Sequence, residues 1–107
     1  MSTAPKSQVL NLVDMVNYQD GAVVSRQITN ADAGNITLFA FDKDQGLSEH
    51  TAPFDALVQI LEGEAEATLS GKPYRLKIGD AIILPANEPH TLKAIQKFKM
   101  LLTMIRA

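Results

Sequence analysis

Runs in which apolar and polar residues alternate, separated by turn residues, account for much of this chain. Residues 65–69 and 73–78 alternate in this way on either side of Ser70-Gly71, a dipeptide typical of a two-residue hairpin turn. Residues 91–95 alternate again after the loop at residues 85–89, which begins and ends with proline. A period of two residues is that of a strand with one buried face. The second half of the chain therefore predicts antiparallel β-structure.

The rest of the chain predicts further strands from apolar and β-branched runs. These are a short edge strand at residues 9–12, a strand within 21–30, strands at 36–41 and 54–61, a short buried strand at 81–84 and a long strand at 98–105. Turns are predicted at residues 30–35 and 79–80. Residues 36–41 are apolar at nearly every position, which predicts cover on both faces by a second sheet or a second subunit. No segment holds a sustained helical period.

This pattern predicts one all-β barrel domain at residues 9–107, preceded by a flexible tail at residues 1–8. A length of 107 residues fits a single domain, and a hydrophobic fraction of 46% argues against disorder. The last strand alternates, so Phe98, Met100, Leu102 and Met104 are predicted to share the core face. Its other face, with Leu101, Thr103 and Ile105, is also apolar and predicts either a homodimer through this sheet or a strand that covers it.

Charge and cysteine content exclude several classes of function. The formal net charge is -2 with both signs interspersed, so neither a nucleic acid nor a membrane is an expected partner. The chain has no cysteine, which excludes disulfides and thiolate metal ligands and fits a reducing compartment. The first residues are polar and no apolar segment follows them, so no signal peptide is expected. We therefore expect a cytoplasmic protein.

The candidate chemistry lies in residues 46–90, which contain both histidines of the chain and four of its six glycines. His50 precedes the strand at residues 54–61, and His90 follows the loop at 85–89. Two buried neutral histidines with backbone partners would be one explanation. Imidazole is also the side chain best suited to proton transfer near neutral pH. A role in a pocket for a small-molecule ligand is the alternative explanation.

The segments GLSEHTAPFDALVQILEG and GDAIILPANEPH resemble the two motifs of the cupin superfamily. In the second segment, Gly79, Pro85 and His90 fall at the motif spacing. In the first segment, His50 and Pro53 fit, as does the ending at residues 61–63. The resemblance covers about residues 36–105 and is to the small single-domain, RmlC-like cupins of the conserved-barrel (cupin 2) type. It implies a double-stranded β-helix, or jelly-roll, barrel.

The chain departs from the cupin motifs where the resemblance would place metal ligands. Ala52 occupies the position of a second histidine, and Ala56 occupies the position of a glutamate. His50 and His90 are the two ligands that remain, which implies a degenerate site that holds a divalent transition metal weakly or holds none. Asn87 replaces a usual glycine and tolerates the same left-handed backbone.

The resemblance places one face of the first-motif strand toward the barrel interior. The residues predicted to line the ligand pocket are His50, Ala52, Phe54, Ala56, Val58 and His90. The two alanines enlarge an apolar pocket of the kind that binds organic molecules. The weaker candidates for the pocket rim are Arg26, Asp55 and Gln59. Tyr18 and Tyr74 carry hydroxyl groups that can donate a proton, but no feature of the sequence places either of them in the pocket.

Three functions remain open at this point. The first is a binding module that holds a small organic molecule without a full metal site. The second is a metal-dependent cupin enzyme, a dioxygenase or isomerase, that uses His50 and His90. The third is metal-free acid–base catalysis of the epimerase type, with a histidine base and a tyrosine or Asp55 as the acid. A domain that serves only in assembly is a further alternative. No catalytic residue is assigned by the sequence.

Overall fold

A computed structural model describes residues 3–106 of the chain, which fold into nine strands and one short 3₁₀ helix, Leu12–Met15. The strands are β1 Val23–Ala31, β2 Gly34–Phe41, β3 Gly46–His50, β4 Phe54–Glu62, β5 Glu64–Leu69, β6 Lys72–Lys77, β7 Ala81–Leu84, β8 His90–Ala94 and β9 Phe98–Arg106. The prediction of an all-β fold is confirmed. No helix among the described residues has the length and apolar character needed to cross a bilayer.

The strands form two antiparallel sheets that enclose one core. The first sheet has the order β1-β2-β9-β4-β7, and the second has the order β3-β8-β5-β6. Neighbours in each sheet are mostly distant along the chain, as in a jelly roll. The predicted jelly-roll barrel is therefore confirmed. The hairpin at Ser70-Gly71 is also confirmed, since both residues have positive φ (49° and 84°), as a tight turn between β5 and β6 requires.

The core consists of side chains that point inward from both sheets. The stacked rings of Phe41 and Phe98 lie at its centre, with centroids 4.4 Å apart. Phe98 and Met100 are fully buried, and Leu102 and Met104 pack against the core. The predicted inner face of β9 is therefore confirmed. Truncating a phenylalanine of this kind to alanine costs about 3–5 kcal/mol of unfolding free energy.

The chain that precedes β1 covers part of the outer face of the first sheet. Leu38 and Ala40 are fully buried from outside the barrel, together with Val16 from this segment. Lys99 anchors the segment, since its Nζ donates to the carbonyl of Val13 over 2.6 Å. The prediction that residues 36–41 are covered on both faces is confirmed, but the predicted cover was wrong. The N-terminal segment provides it instead of a second sheet or subunit.

Two predicted strands differ from the structure. Residues 9–12 form no strand, because Val9 is fully exposed and Leu12 begins the 3₁₀ helix. Residues 81–84 do form β7, but the strand is largely unburied because it lies at a sheet edge with β4 as its neighbour. Ala81 and Ile83 are exposed and Leu84 alone is buried.

The predicted tail, residues 1–8, begins outside the described residues. Within the described part, Ala4 is buried and its N–H donates to the carbonyl of Ile28 in β1 over 2.9 Å. The chain is therefore held against β1 at this point. The flexibility of the tail stays a prediction.

Candidate functional site

His50 and His90 meet at one end of the barrel. They are opposite each other in the pairing of β3 with β8, although 40 positions separate them along the chain. The ring centroids lie 4.3 Å apart with an interplanar angle of 70°. The Nε2 atoms of the two rings are 3.1 Å apart. The two histidines that the sequence singles out are therefore in direct contact.

Backbone carbonyls determine which ring nitrogens carry hydrogen. The Nδ1 atom of His50 lies 2.8 Å from the carbonyl oxygen of Ser48, and Nδ1 of His90 lies 3.2 Å from that of Glu88. A carbonyl oxygen can only accept, so each Nδ1 must donate. In the neutral rings, each Nε2 then carries a lone pair.

Two lone pairs that face each other at 3.1 Å repel, so this geometry calls for an electropositive group close to both Nε2 atoms. A shared proton, a hydrogen-bond donor on a ligand and a metal cation are the three kinds of group that satisfy both nitrogens. The pair can therefore accept such a group, and a proton on one Nε2 supplies it within the hydrogen bond between the two rings.

Burial keeps one ring of the pair neutral. His90 is 6% exposed, whereas His50 is exposed. Desolvation lowers the pKa of His90 below its ordinary value because it disfavours the cation, and the nearby His50 lowers it further. The hydrogen bond to Glu88 acts in the opposite direction but is the smaller effect. His90 is thus neutral at pH 7, and its Nε2 is available as an acceptor.

The loop between β7 and β8 positions His90 against His50. Asn87, in this loop, donates its backbone N–H to the carbonyl of Ala52 over 2.8 Å. The neighbouring Ala86 donates its N–H to Oδ1 of Asp55 over 2.9 Å. Asn87 has a φ of 67°, which confirms the left-handed conformation expected where asparagine replaces glycine. These bonds tie the loop to the link between β3 and β4.

The same loop is bonded to the turn between β5 and β6. The N–H of Ser70 donates to the carbonyl of Pro89 over 2.9 Å, and its hydroxyl donates to Glu88 over 3.3 Å. The carbonyl of Glu88 in turn accepts from His90. Both sides of the loop are therefore fixed to the barrel, which holds the two rings in register.

The predicted pocket wall divides into an opening and a floor. Ala52 and Phe54 are half-buried, whereas Ala56 and Val58 are 4% and 0% exposed in the packed core. The sequence predicted one continuous inward face from residue 50 onward. In the structure this face is interrupted, because β3 and β4 belong to different sheets. His50 reaches the site through its pairing with β8. Ligand contact by the wall residues stays a prediction.

The weaker rim candidates lie away from the two rings. Asp55 and Gln59 are on the outer face of β4, since the alternate residues of that strand face the core. The carboxylate of Asp55 is engaged by the backbone of the β7–β8 loop. Arg26 is exposed and donates to the carbonyl of Met15 over 3.4 Å. None of the three side chains is at the histidine pair.

The two tyrosines have other surroundings. Tyr18 donates to Oε1 of Glu62 over 2.6 Å in the cluster outside the first sheet. Burial raises the pKa of Tyr18, and Glu62 raises it further. Tyr74 is half-buried on β6, an edge strand, with Nζ of Lys72 5.3 Å from its ring centroid. The acid–base hypothesis therefore loses Tyr18 and Asp55 as acids at this site.

Sequence reasoning missed Arg106. It lies opposite Phe54 in the pairing of β4 with β9, and its guanidinium carbon is 5.4 Å from the centroid of the Phe54 ring. The signal was present in the alternation of the last strand, which continues from Met104 to Arg106. The prediction ended that strand at residue 105, one position too early.

The residues at the site match a metal centre in geometry but not in number. A histidine that binds metal commonly donates its other ring N–H to a carbonyl, as both histidines do here. Protein sites for transition metals usually supply three or four ligands. Among residues 3–106, no group of three or more histidine, cysteine, aspartate or glutamate side chains is placed to hold a metal. The described residues therefore do not fit a full metal centre.

Comparisons with known proteins agree with this fold. The cupin domain family matches residues 37–106, and no curated protein matches the chain. A conserved protein of unknown function from Streptococcus pyogenes is 35% identical, with a TM-score of 0.91, over 100% of this chain and 96% of that one. A cupin superfamily protein from Desulfitobacterium hafniense is 27% identical, with a TM-score of 0.91, over 99% and 97%.

A cupin 2 conserved barrel domain protein from Leptotrichia buccalis is 39% identical, with a TM-score of 0.88. The match covers 91% of this chain and 47% of that one. The family match extends over well more than half of the sequence and contains both histidines of the site. The chain belongs to the cupin domain family.

Proposed function

We propose that this cupin binds a small organic molecule at the end of the barrel where His50 and His90 meet. The observation that carries the proposal is the approach of the two Nε2 atoms to 3.1 Å while both Nδ1 atoms donate to carbonyls. A hydroxyl, amine or amide group on the ligand donates into this pair. Such a donor satisfies both lone pairs without a metal.

The apolar surroundings support an organic ligand. Ala52 and Phe54 follow His50 closely along the chain and are half-buried, and they offer apolar surface rather than charge. Small-molecule sites combine an apolar wall with a few polar groups that converge on one point. A methyl group at position 52 leaves more room at the opening than the histidine of the family motif.

A screen of small polar metabolites tests the proposal, with crystals or ¹⁵N-labelled protein as the readout. We expect a binder whose donor atom lies within hydrogen-bond distance of both Nε2 atoms. His50→Asn and His90→Asn each keep a donor for the backbone carbonyl but remove Nε2, so each variant should lose the binder. A binder that is retained by the double variant, or a screen in which no compound reaches the pair, would contradict the proposal.

A second candidate occupant is a divalent transition metal held by the two imidazoles and by groups from the ligand. The hydrogen bonds from both Nδ1 atoms to carbonyls favour a metal, because metal-binding histidines commonly make such bonds. With two protein ligands, however, the site would bind the metal weakly. Elemental analysis of protein purified without a metal-binding tag separates the candidates. Stoichiometric metal would support this occupant. Trace metal, with no response of either histidine to added zinc or manganese, would eliminate it.

We also propose that the protein acts in the cytoplasm. The absence of cysteine supports a reducing compartment. Fluorescence microscopy of a tagged chain in the source cell tests this, and signal outside the cytoplasm would contradict it.

A further inference from the structure

We infer that Arg106, held against the ring of Phe54, binds a carboxylate group of the ligand, so that the ligand class is small organic acids. This inference rests on the proposed function, because it places the other end of the ligand at the histidine pair. It concerns a residue that the cupin motifs do not include.

The strand register shows which way Arg106 points. In the pairing of β4 with β9, Phe54 lies opposite Arg106 and Ala56 lies opposite Met104. Ala56 is buried in the core and Met104 packs against it, so this face of both strands is the inner one. Residues two apart along a strand share a face. Phe54 and Arg106 therefore continue the inner face beyond the core, toward the end of the barrel.

The same end of the barrel carries the two histidines. Strand β4 begins at Phe54, four residues after His50, and β5 returns from the far end to Leu69, which lies opposite His90. The histidine pair and Arg106 belong to different sheets, and packed sheets are about 10 Å apart, so a distance of roughly this order separates them. A short chain with a polar group at each end spans such a gap.

Arg106 is available for an anion. Its side chain is exposed, and the ion pair recorded within residues 3–106 joins Arg75 to Glu64 rather than involving Arg106. Its backbone N–H donates to the carbonyl of Ala33 over 2.9 Å, which fixes the end of β9. The ring of Phe54 holds the guanidinium from one side, 5.4 Å from the centroid. Within residues 3–106, no hydrogen bond or ion pair engages the guanidinium, so its edge can receive a ligand.

The chemistry of one guanidinium favours a carboxylate. A guanidinium presents parallel N–H groups that match the two oxygens of a carboxylate. The donor group at the other end of the same ligand would enter the histidine pair, and its apolar middle would lie over Phe54 and Ala52. A short organic acid with a terminal hydroxyl or amide has this arrangement.

Adipamate and adipamide form a matched pair of probes. Both carry a carboxamide for the histidine pair, but adipamate has a carboxylate at its other end where adipamide has a second carboxamide. We expect the wild-type protein to bind adipamate about tenfold more tightly, since an exposed charged hydrogen bond contributes about that factor. Titrations followed through the side-chain nitrogens of the histidines and Arg106 measure both affinities.

Two variants assign the preference to Arg106. Arg106→Gln should reduce the ratio of the two affinities to about one, while both probes still perturb the histidine nitrogens. Arg26→Gln removes the same charge from the outer side of the barrel and should keep the wild-type ratio. Thermal unfolding of each variant verifies that it is folded.

The failures are distinguishable. Equal affinities in the wild-type protein, or equal loss of preference in both variants, would overturn the role of Arg106 and leave the histidine pair as a binding site. If neither probe perturbs a histidine nitrogen even at high concentration, the role of Arg106 is overturned together with the donor site on which it rests.

Discussion

At the scale of single residues, the site depends on where each imidazole keeps its hydrogen. The sequence was sufficient to single out His50 and His90, since they are its two histidines and fit the family motifs. It could not show that both rings donate through Nδ1, because the acceptors are backbone carbonyls that any residue would supply. Arg106 escaped notice because its importance comes from the residue opposite it on another strand, Phe54.

The lowered pKa of His90 predicts that acid destabilises the folded protein. Burial lowers the folded-state pKa below the ordinary 6.5, so the unfolded chain binds a proton more readily. The contribution of neutral His90 is fully present above about pH 6.5 and is lost as the pH falls through that value toward the lower folded-state pKa. Urea unfolding from pH 8 to pH 5 measures it.

His90→Asn is the matched comparison for this prediction. Asparagine keeps a donor for the carbonyl of Glu88 but does not titrate, so the variant should lose less stability between pH 7 and pH 5. If wild type and variant lose the same free energy of unfolding over this range, the assignment to His90 is wrong.

At the scale of elements, alternation located the strands and failed where burial comes from distant partners. The strand at residues 36–41 was predicted correctly, but its outer cover is a 3₁₀ helix, Leu12–Met15, and the chain beside it. A segment of four mixed apolar and polar residues is too short for its pattern to show whether it pairs as a strand or packs as a helix against a sheet. Residues 81–84 show the opposite error. Their apolar run predicted a buried strand, but in the structure they form a largely exposed edge strand.

The conformation of the β7–β8 loop predicts that alanine and glycine at position 87 change the stability of the protein by different amounts. This residue has a φ of 67° and its N–H donates to the carbonyl of Ala52. Asn87→Ala should lower the unfolding free energy by about 1 kcal/mol, because a residue with Cβ is strained in the left-handed region and alanine lacks the local hydrogen bonds of asparagine. Asn87→Gly should be close to neutral. Chemical denaturation measures both.

The position of the His90 ring should also change more in Asn87→Ala than in Asn87→Gly. Nuclear Overhauser contacts between the two imidazole rings should weaken in Asn87→Ala and persist in Asn87→Gly. An alanine variant as stable as the wild type, with its ring contacts intact, would show that the loop does not position His90.

At the scale of the whole molecule, the outer face of the first sheet is covered over one half and open over the other. The N-terminal segment covers the end of the sheet at which β4 ends and β9 begins. On the open side, Ile83 and Ile105 are each 61% exposed, and a groove of about 260 Å³ runs between them, lined also by Leu57 and Thr103. A second groove of about 360 Å³ lies on the β2 side of Ile105.

We propose that this open half is the interface of a homodimer. A two-fold interface must be complementary to itself, so one patch has to supply both a ridge and a groove. Ile105 is the ridge, and it has a groove on each side. Asp55 also lines the smaller groove, and its carboxylate accepts a hydrogen bond from the N–H of Ala86, which satisfies one of its acceptor positions.

The dimer is tested by light scattering with chromatography. We expect the wild-type protein to elute as a dimer and Ile105→Asp as a monomer, because the variant buries a charge in the interface. Ile78→Asp is the control, since Ile78 is 67% exposed in the turn between β6 and β7, outside both grooves, and should not affect assembly. A monomeric wild type, or a dimer that survives Ile105→Asp, would contradict the proposal.

The central claim is that two imidazoles present both Nε2 lone pairs to one point. The most direct test is a long-range ¹H–¹⁵N spectrum of the histidine side chains at neutral pH, without added ligand. The account predicts a hydrogen on Nδ1 of both rings, and a joint change of both Nε2 signals when a ligand binds. A spectrum in which either ring lacks its Nδ1 hydrogen would contradict it.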